Sequence, residues 1–566
     1  MKIIKNRQQR SYFWIFPILF LIGFYFLPMA SILGHTFTPG SDAFSTDQIN
    51  WNITGKAVGF TFYQAFLSTL ITLLVGIPSS YLFGRFSFRG KNLLRILSTL
   101  PFILPTVVVA AGFNALIGPK GWLNLLIMDI LQISTPPIRL LNSIPAILIA
   151  HVFYNTSIVI RVVGTAWEQL NQKLENAARM LGATPKKVFW KVTFPLLLPS
   201  ILSATILVFL FDFTSFGVIL MMGGAAFTTI EVEIYIQTMQ FLNLKMAGIL
   251  SLIQLTFSML LTFLSLRISG NKNVPIISMI EGEGLKKPDS LNKKLFVFIL
   301  TVILVILLVS PTIALLLRSI LTFSMSNPTK EMASWAFTFE NYRGLFFNDR
   351  HSLFFVPPIT ALRNSVLFAG ATMTIALILG IMISVSYSKS ERSNKYLDFL
   401  VMLPLGTSAV TLGMGYLSAF SSIPNSIRWF PVLIPMAHAL IALPFVIRII
   451  QPAIHSIPEN LHEAAMTLGV PEKKLWRYLD LPLIKKPLAT AAIYAFAVSL
   501  GEFGATTFLT RPEYPTLPIA IYRYLNLPGG ENYGRAMAMA SILLIICGSG
   551  FFIIERLQIK VKGGNQ

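Results

Sequence analysis

Twelve apolar stretches divide this chain, near 13–33, 59–84, 93–117, 142–165, 197–221, 246–267, 295–317, 364–387, 398–420, 431–452, 488–509 and 536–555. Each is close to the roughly 20 residues that carry an α-helix across a bilayer. In hydrocarbon every backbone amide and carbonyl must be satisfied within its own segment or a closed barrel, so helices are expected. The fold class that follows is an all-α polytopic membrane protein with twelve transmembrane helices. Composition agrees: 12% of residues are charged and 54% hydrophobic, where a soluble domain has about 25% charged.

The net charge of +21 could suggest nucleic acid, but the basic residues sit at the ends of the apolar stretches. That is the distribution of cytoplasmic loops, and it argues for membrane lipid as the surrounding partner and against nucleic acid. Basic clusters precede the first stretch (Lys2, Lys5, Arg7, Arg10) and lie between the second and third (Arg85, Arg89, Lys91, Arg95). Others lie between the fourth and fifth (Lys186, Lys187, Lys191), sixth and seventh (Lys286, Lys287, Lys293, Lys294), and tenth and eleventh (Lys473, Lys474, Arg477). All fall on one side of an even-numbered topology, so both termini are expected in the cytoplasm. The N-terminal stretch is longer than the apolar run of a signal peptide, and FLPMASILG (26–34) resembles VSPTIALLL (309–317). It is therefore expected as the first membrane helix. The lone cysteine, Cys547, excludes an internal disulfide and any multi-cysteine metal site.

The two halves repeat. LENAARMLGATPKKVFWKVTFP (174–195) aligns with LHEAAMTLGVPEKKLWRYLDLP (461–482) at an offset of 287 residues. AHVFYNTSIVIR (150–161) aligns with AHALIALPFVIR (437–448), SFGV (215–218) with EFGA (502–505), and TTIEVEIY (228–235) with PTLPIAIY (515–522), at the same offset. Upstream the offset becomes 303, as for Pro101 with Pro404 and Gly112 with Gly415. The chain thus divides into a half at 1–267, a polar linker at 268–294 and a second half at 295–566, each half with six helices. Both repeated loops, 168–195 and 455–482, face the same side, so the repeat is parallel, about an axis along the membrane normal.

Each repeated loop reads as helix, corner, helix. Glu459 and Glu463 suit the start of a helix, Ala464 and Ala465 favour it without bulk, and Gly469 accepts the left-handed conformation that ends it. Pro471 is expected to open the next helix at its first position. In the first copy Gly182 stops the helix, Thr184 caps the next and Pro185 opens it.

The pattern Glu-Ala-Ala, three residues, Gly, nine residues, aliphatic, one residue, Leu-Pro resembles the loop of permease subunits of binding-protein-dependent ABC importers. Glu463, Ala464, Ala465, Gly469, Leu479, Leu481 and Pro482 fit throughout. The first half reads Asn176, Ala177, Ala178, Gly182, Val192, Phe194 and Pro195, with Asn176 in place of the glutamate and Glu175 one position earlier. The resemblance implies a type I importer permease whose loops couple to a homodimeric ABC ATPase in the cytoplasm, while a substrate-binding protein delivers cargo from outside. ATP and magnesium would be bound by the ATPase, with no cofactor on this chain. The location implied is a bacterial-type plasma (inner) membrane. Fusion of two halves resembles the thiamine and ferric-iron import permeases, with another small solute (a polyamine or an oxyanion) as the alternative cargo. The exposed outer loops, 325–362 and 511–535, would face the binding protein.

No catalytic group of residues is legible, so the chain is expected to be a transport subunit and not an enzyme. GRFSFRGKN (84–92) has the wrong glycine spacing for a phosphate loop, and HEAAM (462–466) lacks the second histidine of a zinc motif. An ion-driven secondary transporter also uses repeats, but that reading leaves the matched loops unexplained, as does a membrane enzyme or scaffold. Ionisable groups inside membrane helices are costly and face interiors, which makes Asp212, Glu502, His151 and His438 candidates for the translocation path. Phe216 and Phe503 recur in the two halves as a candidate gate, with packing beside Gly217 and Gly504 as the alternative. Arg161 and Arg448 are expected to snorkel to the inner interface.

Overall fold

The structure, a computed structural model, describes residues 14–37, 50–224, 226–269, 285–324, 334–347, 358–387, 395–421 and 430–559. In the first half, beside a ten-residue helix at Trp122–Leu131, the helices are α1 (Trp14–Gly34), α2 (Trp51–Arg85), α3 (Lys91–Phe102), α4 (Thr106–Ile117), α5 (Ile144–Gln169), α6 (Gln172–Met180), α7 (Pro185–Phe213), α8 (Gly217–Met222), α9 (Ile230–Met239) and α10 (Leu244–Ser269). The second half repeats them as α11 (Leu291–Ile320), α12 (Pro358–Tyr387), α13 (Lys395–Gly406), α14 (Ala409–Phe420), α15 (Phe430–His455), α16 (Glu459–Thr467), α17 (Trp476–Gly501), α18 (Gly504–Leu509), α19 (Leu517–Asn526) and α20 (Gly530–Ile559). Among the described residues ten helices are long and apolar enough to span a membrane, and the bent pairs α3–α4 and α13–α14 raise the number to 12. Between α11 and α12 a small antiparallel hairpin joins Leu321–Ser324 to Ser334–Phe337. Part of the outer loop 325–362 lies outside the described residues.

Within each half the second helix packs on the fourth through a glycine. A Cβ at Gly76 would stand 2.6 Å from that of Val159, and one at Gly380 would stand 2.5 Å from Val446 Cγ1. Such small-residue contacts let helices approach where lipid offers no hydrophobic drive. The buried face of α2 is polar, with Thr61, Ser68, Thr69 and Ser80 turned inward. Thr61 and Thr69 donate to the carbonyls of Ala57 and Ala65 at 2.7 Å, so these hydroxyls are satisfied without solvent. Phe66, Leu70 and Leu74 occupy the exposed, lipid-facing side.

The halves exchange their first helices. α1 packs against α14, and α11 packs against α4. The closest approach on each side is a glycine beneath a proline carbonyl: a Cβ on Gly112 would lie 2.8 Å from the Pro311 oxygen, and one on Gly415 would lie 3.0 Å from the Pro28 oxygen. Tyr25 of α1 also bonds Thr407, at the α13–α14 bend, at 2.6 Å. The division at the linker is thus one of sequence, while in space each half is completed by a helix from the other. The end of the linker is tied to the first half, where Ser87 N donates to Lys286 O and Lys286 N to Arg85 O, both at 3.0 Å.

Four of the expected helices are interrupted. The third and ninth bend by 112° and 107°. Pro105 cannot donate a helical hydrogen bond, and Ser408 caps a fresh helix through Val410 N at 3.2 Å. The fifth and eleventh, expected as continuous over 197–221 and 488–509, instead stop at Phe213 and Gly501 and restart at Gly217 and Gly504.

Gly112→Val should drive a side chain into the Pro311 carbonyl and cost about 1–3 kcal/mol, as overpacking does. A thermal melt of the detergent-solubilised protein should shift down, while Gly370→Ala, with nothing within 4 Å of its Cβ, should melt like the parent.

Candidate functional site

The two breaks after α7 and α17 are held by matching clusters. In the second half Glu502 lies just beyond the end of α17, and its carboxylate accepts from Ala505 N at 2.8 Å and Thr506 N at 2.9 Å, capping α18. His438 of α15 reaches Glu502 Oε2 at 3.0 Å through Nε2 and Ser499 Oγ at 2.7 Å through Nδ1. In the first half His151 of α5 reaches Ser215 Oγ at 2.8 Å through Nε2, and Asp212 Oδ1 at 3.3 Å through Nδ1. Asn155 donates to the same Asp212 oxygen at 2.6 Å. By the 287-residue offset, Ser215 corresponds to Glu502 and Asp212 to Ser499. The two halves have therefore exchanged the acid and the hydroxyl between the two positions that each histidine bridges. All four ionisable residues are buried, and each carboxylate is engaged by neighbouring side chains.

Between the breaks lies an aromatic cluster on the pseudo-two-fold axis. Phe216 and Phe503, one from each half, stack with ring centroids 5.5 Å apart and planes 24° apart. Tyr235 of α9 meets Phe216 edge-on at 5.6 Å, and Tyr522 of α19 meets Phe503 edge-on at 5.4 Å. The two tyrosine side chains also interact with each other. The phenylalanines are buried and the tyrosines half-buried. Tyr235 and Tyr522 were absent from the sequence candidates, although they close the aligned segments TTIEVEIY and PTLPIAIY. Glu231 and Glu233 were also missed, because they fall outside the apolar stretches. Both are buried in α9, Glu231 accepting from Gln254 at 3.0 Å and Glu233 from Gln237 at 2.7 Å.

Arg161 and Arg448 do not simply reach for the interface. The Arg161 guanidinium sits 5.4 Å from the Phe102 ring centre, and Tyr494, between Phe102 at 6.1 Å and Phe445 at 5.3 Å, lies within electrostatic reach of both arginines. They gather at the seam between the halves, where aromatic faces attract cations.

The repeated loops form the expected corners. Asn171 caps α6, accepting from Lys173 N at 2.9 Å, and Gly182 and Gly469 adopt φ of +84° and +83°. Thr184 caps the next helix as expected. Pro471 stands one residue earlier than expected, at the cap itself, and only Glu459 lies in the first turn of α16. Glu175 points inward, where it pairs with Arg85 and accepts from Thr193 at 2.8 Å. Its counterpart is His462, bonded to Asp480 at 2.8 Å, and Asp480 in turn matches Thr193. Glu175 is therefore an internal lock and not a displaced version of the missing glutamate. Asn176 and Glu463 occupy equivalent exposed sites, beside Ala177 and Ala178 in one loop and Ala464 and Ala465 in the other. At the tips Leu181 and Leu468 are 89% and 85% exposed.

Residues 76–315 and 375–562 match the family model of the binding-protein-dependent transport system inner membrane component. The chain belongs to this family. The two matches include both loops, both breaks and the aromatic cluster. Family membership makes the chain a multi-pass inner-membrane permease of type I ABC fold, a transport subunit and not an enzyme, that works with a substrate-binding protein and an ATPase. The thiamine transport system permease protein ThiP of Escherichia coli K12 is 25% identical over 520 residues, covering 90% of each chain. ThiP of Haemophilus influenzae is 26% identical, covering 88% of this chain and 87% of its own. The ferric transport system permease protein FbpB of Actinobacillus pleuropneumoniae is 23% identical, covering 86% of this chain and 68% of its own.

Removing one partner of a buried carboxylate costs about the 1.5–3 kcal/mol of a hydrogen bond to a charged group, and the bonds from Ala505 and Thr506 remain. His438→Ala should therefore destabilise the permease by about 2 kcal/mol, read as an earlier melt in detergent. His438→Gln, which keeps hydrogen-bonding groups, should recover part of the loss.

Proposed function

We propose that this permease imports a small cation, thiamine in the first instance, with ferric iron as the second reading, and that ATP hydrolysis by a homodimeric ATPase drives it. The observation that carries the coupling is the pair of loop tips. Two leucines, Leu181 and Leu468, stand almost fully exposed at equivalent points beside the small-residue faces of α6 and α16. Isolated apolar side chains cost little on a surface, but a matched pair on one end fits two equivalent grooves of a two-fold partner. On this reading Asn176, Ala177, Ala178 and Gly182 in one loop, and Glu463, Ala464, Ala465 and Gly469 in the other, make the docking surface. Both termini and the linker 268–294 lie on that cytoplasmic side, and a binding protein delivers cargo to the opposite face.

The path runs between the halves, and the Phe216–Phe503 stack closes it. Asp212, Glu502, His151 and His438 support this closure from behind, because their polar atoms are engaged around the helix breaks. Thiamine comes first because the ThiP relatives match over nearly the full length of both chains. Ferric iron is retained because the likeness to FbpB also spans most of this chain.

Uptake of labelled thiamine and labelled ferric iron, in cells with and without the gene, tests the cargo. Loss of thiamine uptake alone is expected; no change in either would refute this assignment. Glu463→Lys should abolish ATP-driven uptake while the protein still reaches the membrane, and unimpaired uptake would sink the docking role. Asn176→Glu should be tolerated, since the site is exposed and the change matches the other loop.

A further inference from the structure

We propose that Phe216 and Phe503 form more than a barrier: when the halves part, they become a two-sided stacking site that selects a flat organic cation. This inference rests on the import function proposed above and adds a chemical class to it.

The stack is built symmetrically, with one ring from each half on the axis and one tyrosine meeting each ring edge-on. Its planes are only 24° apart, so separation would present two nearly parallel faces. A flat ring between them needs a van der Waals contact of about 3.5–4 Å on each side. The present centroid separation of 5.5 Å sets the largest spacing the planes can have, so the rings must part by at least roughly 2 Å. Helix shifts at interfaces of switching proteins are of that size. Each phenylalanine stands at a helix restart, Phe216 before α8 and Phe503 before α18, so a movement of α7 against α17 would be transmitted to the rings.

The chemistry favours an organic cation over a bare metal ion. Aromatic faces carry negative quadrupole density and attract cations within about 6 Å, whereas hard metal ions seek several oxygen ligands. The carboxylates of the two flanking clusters, Asp212 and Glu502, are already engaged by Asn155, His151, His438 and α18. The two phenols of Tyr235 and Tyr522 are oxygens that lie against the stacked rings, and they give the rival arrangement a distinct signature.

The test uses the full permease with its ATPase and binding protein in proteoliposomes, with ATP-dependent accumulation of labelled thiamine as the readout. Phe216→Leu with Phe503→Leu keeps apolar bulk and removes both faces, so KM or rate should worsen by about tenfold. Phe216→Tyr with Phe503→Tyr should restore transport to near the parent. Tyr235→Phe with Tyr522→Phe, which retains the rings and removes the phenols, should transport like the parent. Full transport by the leucine pair overturns the proposal, as does a tyrosine pair as poor as the leucine pair, which would mean packing alone. Loss of transport only in the Tyr→Phe pair overturns it in favour of phenol ligation. A parent that accumulates ferric iron and no thiamine overturns both the stacking site and the thiamine assignment, leaving the permease standing. A parent that accumulates thiamine while the leucine pair is unaffected removes the stacking site alone.

Discussion

A helix can be interrupted inside a membrane only where protein groups take up the backbone bonds that it surrenders. Here four interruptions fall close to the seam between the halves, and the rest of the architecture is arranged around satisfying them. Ser408 caps one bend, and Glu502 caps the restart of α18 with both carboxylate oxygens. His438 and His151 tie the restarts to α15 and α5. The cost of burying charge is thereby met at the points where straight helices would have closed the seam. Because the breaks are fixed, the residues immediately beyond them, Phe216 and Phe503, are brought face to face.

The exchange of acid and hydroxyl between the two clusters says what is conserved physically by the pseudo-symmetry. Each histidine lies between one polar group on the last turn before the break and one at the break, and each has a further hydroxyl, Ser68 on His151 Nδ1 at 2.9 Å and Thr506 on His438 Nε2 at 2.8 Å. In the first half the acid is on the turn, as Asp212, and in the second it is at the break, as Glu502. The geometry of the tie is preserved while the placement of charge is not. A carboxylate at the break can cap the next helix directly, whereas one a turn earlier recruits Asn155 and leaves Ser215 to face His151. The same economy appears in the loops, where Glu175 with Thr193 and His462 with Asp480 join equivalent positions by different chemistry.

Much of this was legible in the sequence, because lipid imposes a length on each span and the 287-residue offset aligns the halves. The equivalence of Phe216 with Phe503, the repeated loops and the glycines that end their first helices follow from that alignment. The breaks after Phe213 and Gly501 did not, since apolar sequence runs on through them and hydropathy reports depth, not continuity. The exchange of α1 and α11 was likewise hidden. The spans of α1 and α11 are apolar on nearly all sides, so their pattern carries little record of their partners, and the signal lay in the glycines they meet, Gly112 and Gly415. The pairing of Glu175 with Arg85 was likewise not legible, because its direction depends on helical phase within a nine-residue helix.

The helix exchange bears on how force could pass through such a molecule. If each half were a separate bundle, motion of one loop would move that bundle alone. Instead α11 packs on α4 as well as on α20, and α1 on α14 as well as on α10, so a displacement within either bundle is carried into the other by a helix that contacts both. The internal locks extend this coupling to the loops: Glu175 fastens α6 to the head of α7 and, through Arg85, to the end of α2, while His462 fastens α16 to Asp480 at the head of α17. α7 and α17 end at the breaks that set the phenylalanine stack. A push on either loop therefore meets a short, polar-locked joint, then a single long helix, then the ring at its far end, and the opposing ring is held by the same arrangement from the other side.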